Sequence, residues 1–229
     1  GAVPPRDAAL EALLQMERRG AWSDGSLKRI TAQAGLDGRD AALCTHLTYG
    51  VVQNRTLLDF YIDGWCSQRA ARLEAVVACA LRLGIYQILF MDKVPDRAAV
   101  HETVELVKRH GKSRAAGMVN AVLRKCAASK NALPPLPHKG AAERLTVQYS
   151  HPKWLVERLI ALVGEQEAEE FLRLDNEPVP TVIQTNTLKT TPDALAEELR
   201  ASGVQVQAHP WLTGCFEVTG TGDMARLPA

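Results

Sequence analysis

Residues 72–91 read RLEAVVACALRLGIYQILFM. Leu73, Val76, Val77, Ala80, Leu81, Leu83, Ile85, Ile88 and Leu89 recur there at helical spacings, more densely than in any other segment. Such density marks a central, mostly buried helix, which needs other helices to cover it. The flanks supply them. Upstream, Pro4 and Pro5 can open a helix with Leu10, Leu13 and Leu14 on its inner face, ending at Gly20. Residues 40–62 then repeat Leu43, Leu47, Val51, Leu58 and Ile62. Downstream, Pro95 closes a loop, and helical patterns follow over 97–109 and 114–128, the latter with Met118, Val119, Val122 and Leu123 inward. Five or more helices joined by short loops predict a helical bundle.

The pattern changes across 127–140, AASKNALPPLPHKG, where Pro134, Pro135 and Pro137 break any helix. Beyond it, Pro152 opens a helix that Gly164 stops, and a second runs from about 165 to 174. The β-branched run VPTVIQTNTL at 179–188 predicts a strand. Thr191 and Pro192 form a cap and first-turn pair for a helix ending at Gly203, and 204–208 and 215–219 predict two more strands. The expected architecture is mainly α: a helical domain over 1–130, a Pro-rich linker over 131–140, and a small α+β module over 141–229.

The chain has 229 residues with 46% hydrophobic and 23% charged side chains, enough for one or two domains with a real core. No apolar run approaches the roughly 18 residues of a membrane span, and the N-terminal stretch lacks the basic and apolar regions of a secretory signal. Cys44, Cys66, Cys79, Cys126 and Cys215 are odd in number and never form a CxxC pair. They predict reduced, mostly buried thiols of a cytoplasmic protein.

The formal net charge of +1 hides an asymmetry. Residues 1–130 carry 19 Lys and Arg against 13 Asp and Glu; residues 131–229 carry 8 against 13. From 108 to 130 stand Lys108, Arg109, Lys112, Arg114, Arg124, Lys125 and Lys130 without one acidic residue. On charge alone such a run is either a solvated helix face or a surface for an anionic partner such as nucleic acid.

Other constellations are weaker. His101-Glu102-Thr103-Val104-Glu105 is half of an HExxH zinc signature, with Glu105 where the second His is needed; Glu102 and Glu105 are expected to pair with cations on neighbouring helices. Gly220-Thr221-Gly222 has no third glycine and reads as a turn. Cys126, beside Arg124 and Lys125, has local positive charge but sits deep in a predicted helix, which favours packing over nucleophilic chemistry. Asn120, between apolar residues of a basic helix, is either a buried hydrogen-bond anchor, the favoured reading, or a phosphate or base contact. Aromatic residues are too few for a base-stacking sheet.

Several segments together resemble a known family. RLGIYQIL at 82–89, Val94-Pro95, AVHETVEL at 99–106 and VNAVLR at 119–124, with LTYGVV at 47–52, resemble the NusB-type RNA-binding domain. The version here is similar to the one at the front of the bacterial 16S rRNA (cytosine-C5)-methyltransferases of the RsmB (Sun/Fmu) family. SHPKWLV at 150–156 and NTLK at 186–189 resemble the segment leading into that family's catalytic domain. One departure is Gln184, where the family usually has an arginine. The other is the catalytic part. The family's two cysteines in Thr-Cys-Ser and Pro-Cys-Ser contexts are absent, and Trp65-Cys66-Ser67 is a chance match in the helical region.

The resemblance implies a NusB-like bundle that recruits 16S rRNA. S-adenosylmethionine is then expected for the full-length enzyme, and no cofactor and no methyl transfer for this stretch alone. The expected contact surface is Arg6 with Lys108, Arg109, Lys112, Arg114, Arg124 and Lys125. The acidic second half is expected to dock on a catalytic domain. Ribosomal proteins are further candidate partners. The rival reading is a NusB-like regulatory module for ribosomal or transcription proteins.

Overall fold

In the computed structural model, which describes residues 3–19, 24–176, 181–210 and 212–219, the stretch 72–91 forms the axis around which the first unit is built. Its helix α5 (Ala75–Phe90) is buried at every position from Val77 to Ile88. Around it pack α1 (Pro5–Arg19), α3 (Gly38–Gln53), α4 (Arg55–Trp65), α6 (Asp96–Arg109) and α7 (Ala116–Ala128), while α2 (Asp24–Gln33) rests on α1 and α3. One apolar core runs through them, from Leu10 and Leu13 through Leu47, Leu58 and Ile62 to Leu106 and Leu123.

Two features explain how closely these helices approach. Gly50 lies against the Tyr86 ring, where an added Cβ would fall 2.0 Å from a ring carbon. Arg82, only 5% exposed within α5, is held by carboxylates from two other helices. Its Nε and Nη2 donate to Asp59 at 2.7 and 3.1 Å, and its Nη1 donates to Glu17 at 3.0 Å. A buried charge survives only when paired in this way, so the interaction clasps α1, α4 and α5 together.

The sequence pattern differs from the structure in three places. Residues 40–62 are two helices rather than one. Asn54 leaves helical geometry at φ −111°, ψ 16°, and its Nδ2 donates to Gly50 O at 2.9 Å. Helix α2 is not predicted by the sequence pattern, since among its described side chains only Leu27 and Ile30 are buried. Helix α8 (Ala141–Tyr149) was not expected either, with Leu145 as its one buried residue.

Helix α8 also changes where the first unit ends. The Pro-rich stretch is irregular, but the chain then returns to the bundle: α8 packs on α4, and α9 (Lys153–Val163) and α10 (Glu165–Asp175) pack with α8 around Leu145, Val156 and Leu172. Leu57 N donates to Ser150 Oγ at 3.2 Å, and Gln53 Nε2 to Asn176 O at 2.6 Å. The compact units are therefore Gly1–Asn176 and Glu177–Ala229, whereas the sequence placed the break at 131–140.

The second unit has three antiparallel strands in the order β1-β3-β2, with β1 (Thr181–Gln184), β2 (Gln205–Ala208) and β3 (Cys215–Thr219). Val182 faces Glu217 and Val206 faces Val218 across the central strand. Helix α11 (Pro192–Ala201) contributes Leu195, Ala196 and Leu199 to a core with Val204, Phe216 and Val218. Thr191 caps it as expected, accepting from Ala194 N at 3.3 Å. Gly203 follows at φ 82°. The mainly α bundle with a small α+β module is the fold that the sequence predicts.

Candidate nucleic-acid interface

The acid-free run 108–130 folds as the end of α6, a short 3-10 turn (Ser113–Ala115) and α7. It forms a helical hairpin, and its cations have distinct fates. Arg109 reaches back to α1, where Nε and Nη2 donate to the two oxygens of Asp7 at 3.1 and 2.7 Å. His110 Nε2 lies 3.2 Å from the same carboxylate. The Asp7 hydrogen bond holds the Arg109 guanidinium above its ordinary range. This fork is a tie between helices.

Arg6 Nε donates to Gln87 Oε1 at 2.8 Å, tying α1 to α5. Lys112 pairs with Glu74, just before α5. Lys125 Nζ donates to the Trp65 carbonyl at 3.2 Å, satisfying a C-terminal oxygen of α4. Lys108 pairs with Glu105 at 2.7 Å in an exposed i,i+3 contact. That partner is on the same helix rather than a neighbouring one, and its hydrogen bond holds the Glu105 carboxyl below the usual range. Of the seven sequence-predicted contacts, Arg114 and Arg124 are exposed and make no hydrogen bond or ion pair among the described residues.

Arg124 does not stand alone. Helices α6 and α7 enclose a groove of about 410 Å³ lined by Asp96, Arg97, Val100, His101, Val104, Asn120, Arg124 and Ala127. Val100, Val104 and Ala127 give it an apolar lining, and its acidic residue, Asp96, is occupied by Lys130 at 2.9 Å. Arg97, His101 and Asn120 join Arg124 in making no hydrogen bond or ion pair among the described residues. The Asn120 side chain is half-buried and makes no hydrogen bond among the described residues, so the anchor reading of it does not hold.

Sequence reasoning missed Arg97 and His101 because they precede the acid-free run. The signal was there in the spacing: positions 97, 101, 104 and 108 are one stripe of α6.

The other candidates take structural roles. Burial pushes the Cys126 thiol up to about 12 and the Cys79 thiol to about 11, the reverse of what a nucleophile needs. All five cysteines are free, and Cys66 alone is less than fully buried. Among the described residues no group of three His, Cys, Asp or Glu side chains is placed to hold a metal ion, and no helix is long and apolar enough to cross a membrane. Residues 220–222 lie outside the described residues.

S-adenosylmethionine, implied by the resemblance, does not fit the residues described. In open α/β folds such cofactors bind at the carboxyl ends of parallel strands, and the one sheet among the described residues is wholly antiparallel.

Comparison with known proteins divides the chain at the Pro-rich stretch, where the sequence pattern changes, and not at Asn176. The NusB family model matches residues 3–128, and the Methyltr_RsmF/B-like, ferredoxin-like domain matches residues 151–225. The chain is 32% identical over 203 residues to the probable ribosomal RNA small subunit methyltransferase B of Bacillus subtilis (strain 168), covering 88% of this chain and 45% of that protein. It superposes on T. maritima NusB with a TM-score of 0.50 at 26% identity, over 56% of this chain and 93% of that one. The crystal structure of PH0851 matches with a TM-score of 0.63 at 21% identity, over 98% of this chain and 51% of that one, a likeness of fold. The chain spans about half the length of the curated relatives it matches.

Proposed function

The chain belongs to the NusB family, and from that premise we propose that it recruits RNA for a 16S rRNA cytosine-C5 methyltransferase. Methyl transfer itself falls to a catalytic domain outside residues 1–229, with S-adenosylmethionine as that domain's methyl donor. The observation that carries the reading is the pair of exposed guanidinium groups, Arg114 and Arg124, which have no partner among the described residues, on a helical hairpin whose run 108–130 has no acidic residue.

Phosphate contacts position an RNA without reading its sequence. A free guanidinium can take a phosphate without first giving up an internal partner. Lys108 and Lys112 can exchange their exposed carboxylates for phosphate at little cost, because such surface pairs contribute about 0–1 kcal/mol. Arg6, Arg109 and Lys125 are engaged inside the fold, tying α1 to α5, α6 to α1 and α7 to α4. The relatives named as small-subunit rRNA methyltransferases support 16S rRNA as the target. The acidic second half, residues 141–229, docks on the catalytic domain and sets its geometry.

The test is RNA binding by this chain, titrated between about 50 and 200 mM salt. Affinity for a 16S rRNA fragment is expected to fall steeply with salt, and incubation with S-adenosylmethionine is expected to leave the RNA unmethylated. No binding at low salt, or cytosine methylation by this chain, contradicts the reading.

A second reading, a module for ribosomal or transcription proteins, draws on a different observation. Trp154, Leu162, Val163, Phe171 and Leu174 are exposed on α9 and α10, an apolar surface suited to protein rather than to phosphate. It predicts protein partners that bind tightly at salt concentrations that release RNA.

A further inference from the structure

We infer that the α6–α7 groove holds one unstacked nucleotide of a single-stranded RNA segment, and that Asn120 reads its base. The inference rests on the RNA-recruiting reading and deepens it, since phosphate contacts alone explain only a tether.

Four observations carry it. First, the groove's volume of about 410 Å³ falls in the range of small-ligand sites, about 300–1,000 Å³. Second, its lining is divided as a nucleotide is divided. Val100, Val104 and Ala127 are apolar, while Arg97, His101, Asn120 and Arg124 supply planar polar groups. Unpaired RNA bases stack on imidazole and guanidinium planes and offer their edges for hydrogen bonding.

Third, these four polar side chains make no hydrogen bond or ion pair among the described residues, whereas Arg6, Lys108, Arg109, Lys112, Lys125 and Lys130 are each engaged. An asparagine in a helix interior costs stability relative to alanine, and here no internal hydrogen bond offsets it. Its amide has both donors and an acceptor, which suits a base edge and exceeds what a phosphate requires. Fourth, the groove's acidic residue, Asp96, is bound by Lys130, so the charge left facing a ligand comes from Arg97 and Arg124. That sign selects a phosphodiester over a peptide without acidic residues.

A base stacked in a duplex cannot enter such a groove, so loops, bulges and ends are the class of RNA it takes. Arg97 and Arg124 then grip the flanking phosphates, the ring of His101 covers the base, and Asn120 reads its edge.

The experiment compares a single-stranded RNA, the same strand with one abasic position, and the duplex, each titrated against the whole chain and its variants. The unvaried chain is expected to prefer the intact single strand. Asn120→Ala is expected to lose about tenfold for the intact strand and much less for the abasic one, a difference of the size of one base-reading contact. His101→Ala checks the stacking independently and is expected to act in the same direction. Arg124→Ala is expected to weaken both strands together. If the unvaried chain binds no RNA, the functional reading fails. If it binds RNA but Asn120→Ala and His101→Ala leave the intact-to-abasic ratio untouched, the tether stands and the groove inference is overturned.

Discussion

Arg82 and Arg124 are the same residue type used in opposite ways. Arg82 is buried in α5 with three hydrogen bonds to Asp59 and Glu17; Arg124 stands at the edge of the α6–α7 groove with no hydrogen bond or ion pair among the described residues. The difference teaches how to divide a basic surface. Charges that the fold has satisfied hold helices together, and charges that it leaves unsatisfied are available to a ligand. The hairpin shows both kinds within a few turns, since Arg109 is forked onto Asp7 and Arg124 has no partner among the described residues.

The sharpest break in that comparison comes from Arg82→Ala. It leaves Asp59 and Glu17 without their buried partner and is expected to cost about 3–5 kcal/mol of stability, read from the urea midpoint. Gly50→Ala comes next. Its Cβ would strike the Tyr86 ring, which is stacked on Phe90 at 5.3 Å between centroids and bonded to His46 at 3.2 Å, for about 1–3 kcal/mol. By contrast, Arg114→Glu with Arg124→Glu is expected to leave stability within about 0.5 kcal/mol while RNA affinity falls at least tenfold. A stability loss equal to that of Arg82→Ala would erase the distinction between the two classes of charge.

The smallest effect concerns the thiols. Burial raises Cys126 to about 12, so its contribution to stability is fully present below the unfolded value near 9.0 and is lost as pH rises through 12. Near pH 8 a thiol-alkylating reagent is expected to label Cys66 well before Cys126 in the folded chain. Equal rates would contradict the buried placement.

Much of the fold is legible in the sequence because it follows from one helix. A stretch as apolar as 72–91 demands cover, and the flanking periodicities supply it. Cap chemistry located α11 to within two residues, through Thr191, Pro192 and Gly203. What stayed hidden was weakly patterned or non-local. Among the described side chains, helices α2 and α8 bury too few to show a stripe. The return of α8 onto α4 depends on pairings such as Leu57 with Ser150, far apart in sequence. The candidate surface was half legible. Its cations could be counted, but the pairing that sets Arg109 apart from Arg124 depends on Asp7, about a hundred positions away. Arg97 and His101 do not stand out along the chain, because they align with Lys108 only on one face of α6.

The central claim is that the unpaired arginines carry the phosphate contacts. Its most direct test is the salt dependence of RNA affinity for Arg114→Ala/Arg124→Ala beside the unvaried chain. The account predicts that the slope of log K against log salt shrinks by about 0.7 for each single-strand phosphate no longer neutralised, roughly 1.4 in all. An unchanged slope would place the phosphate-binding groups elsewhere and contradict the claim.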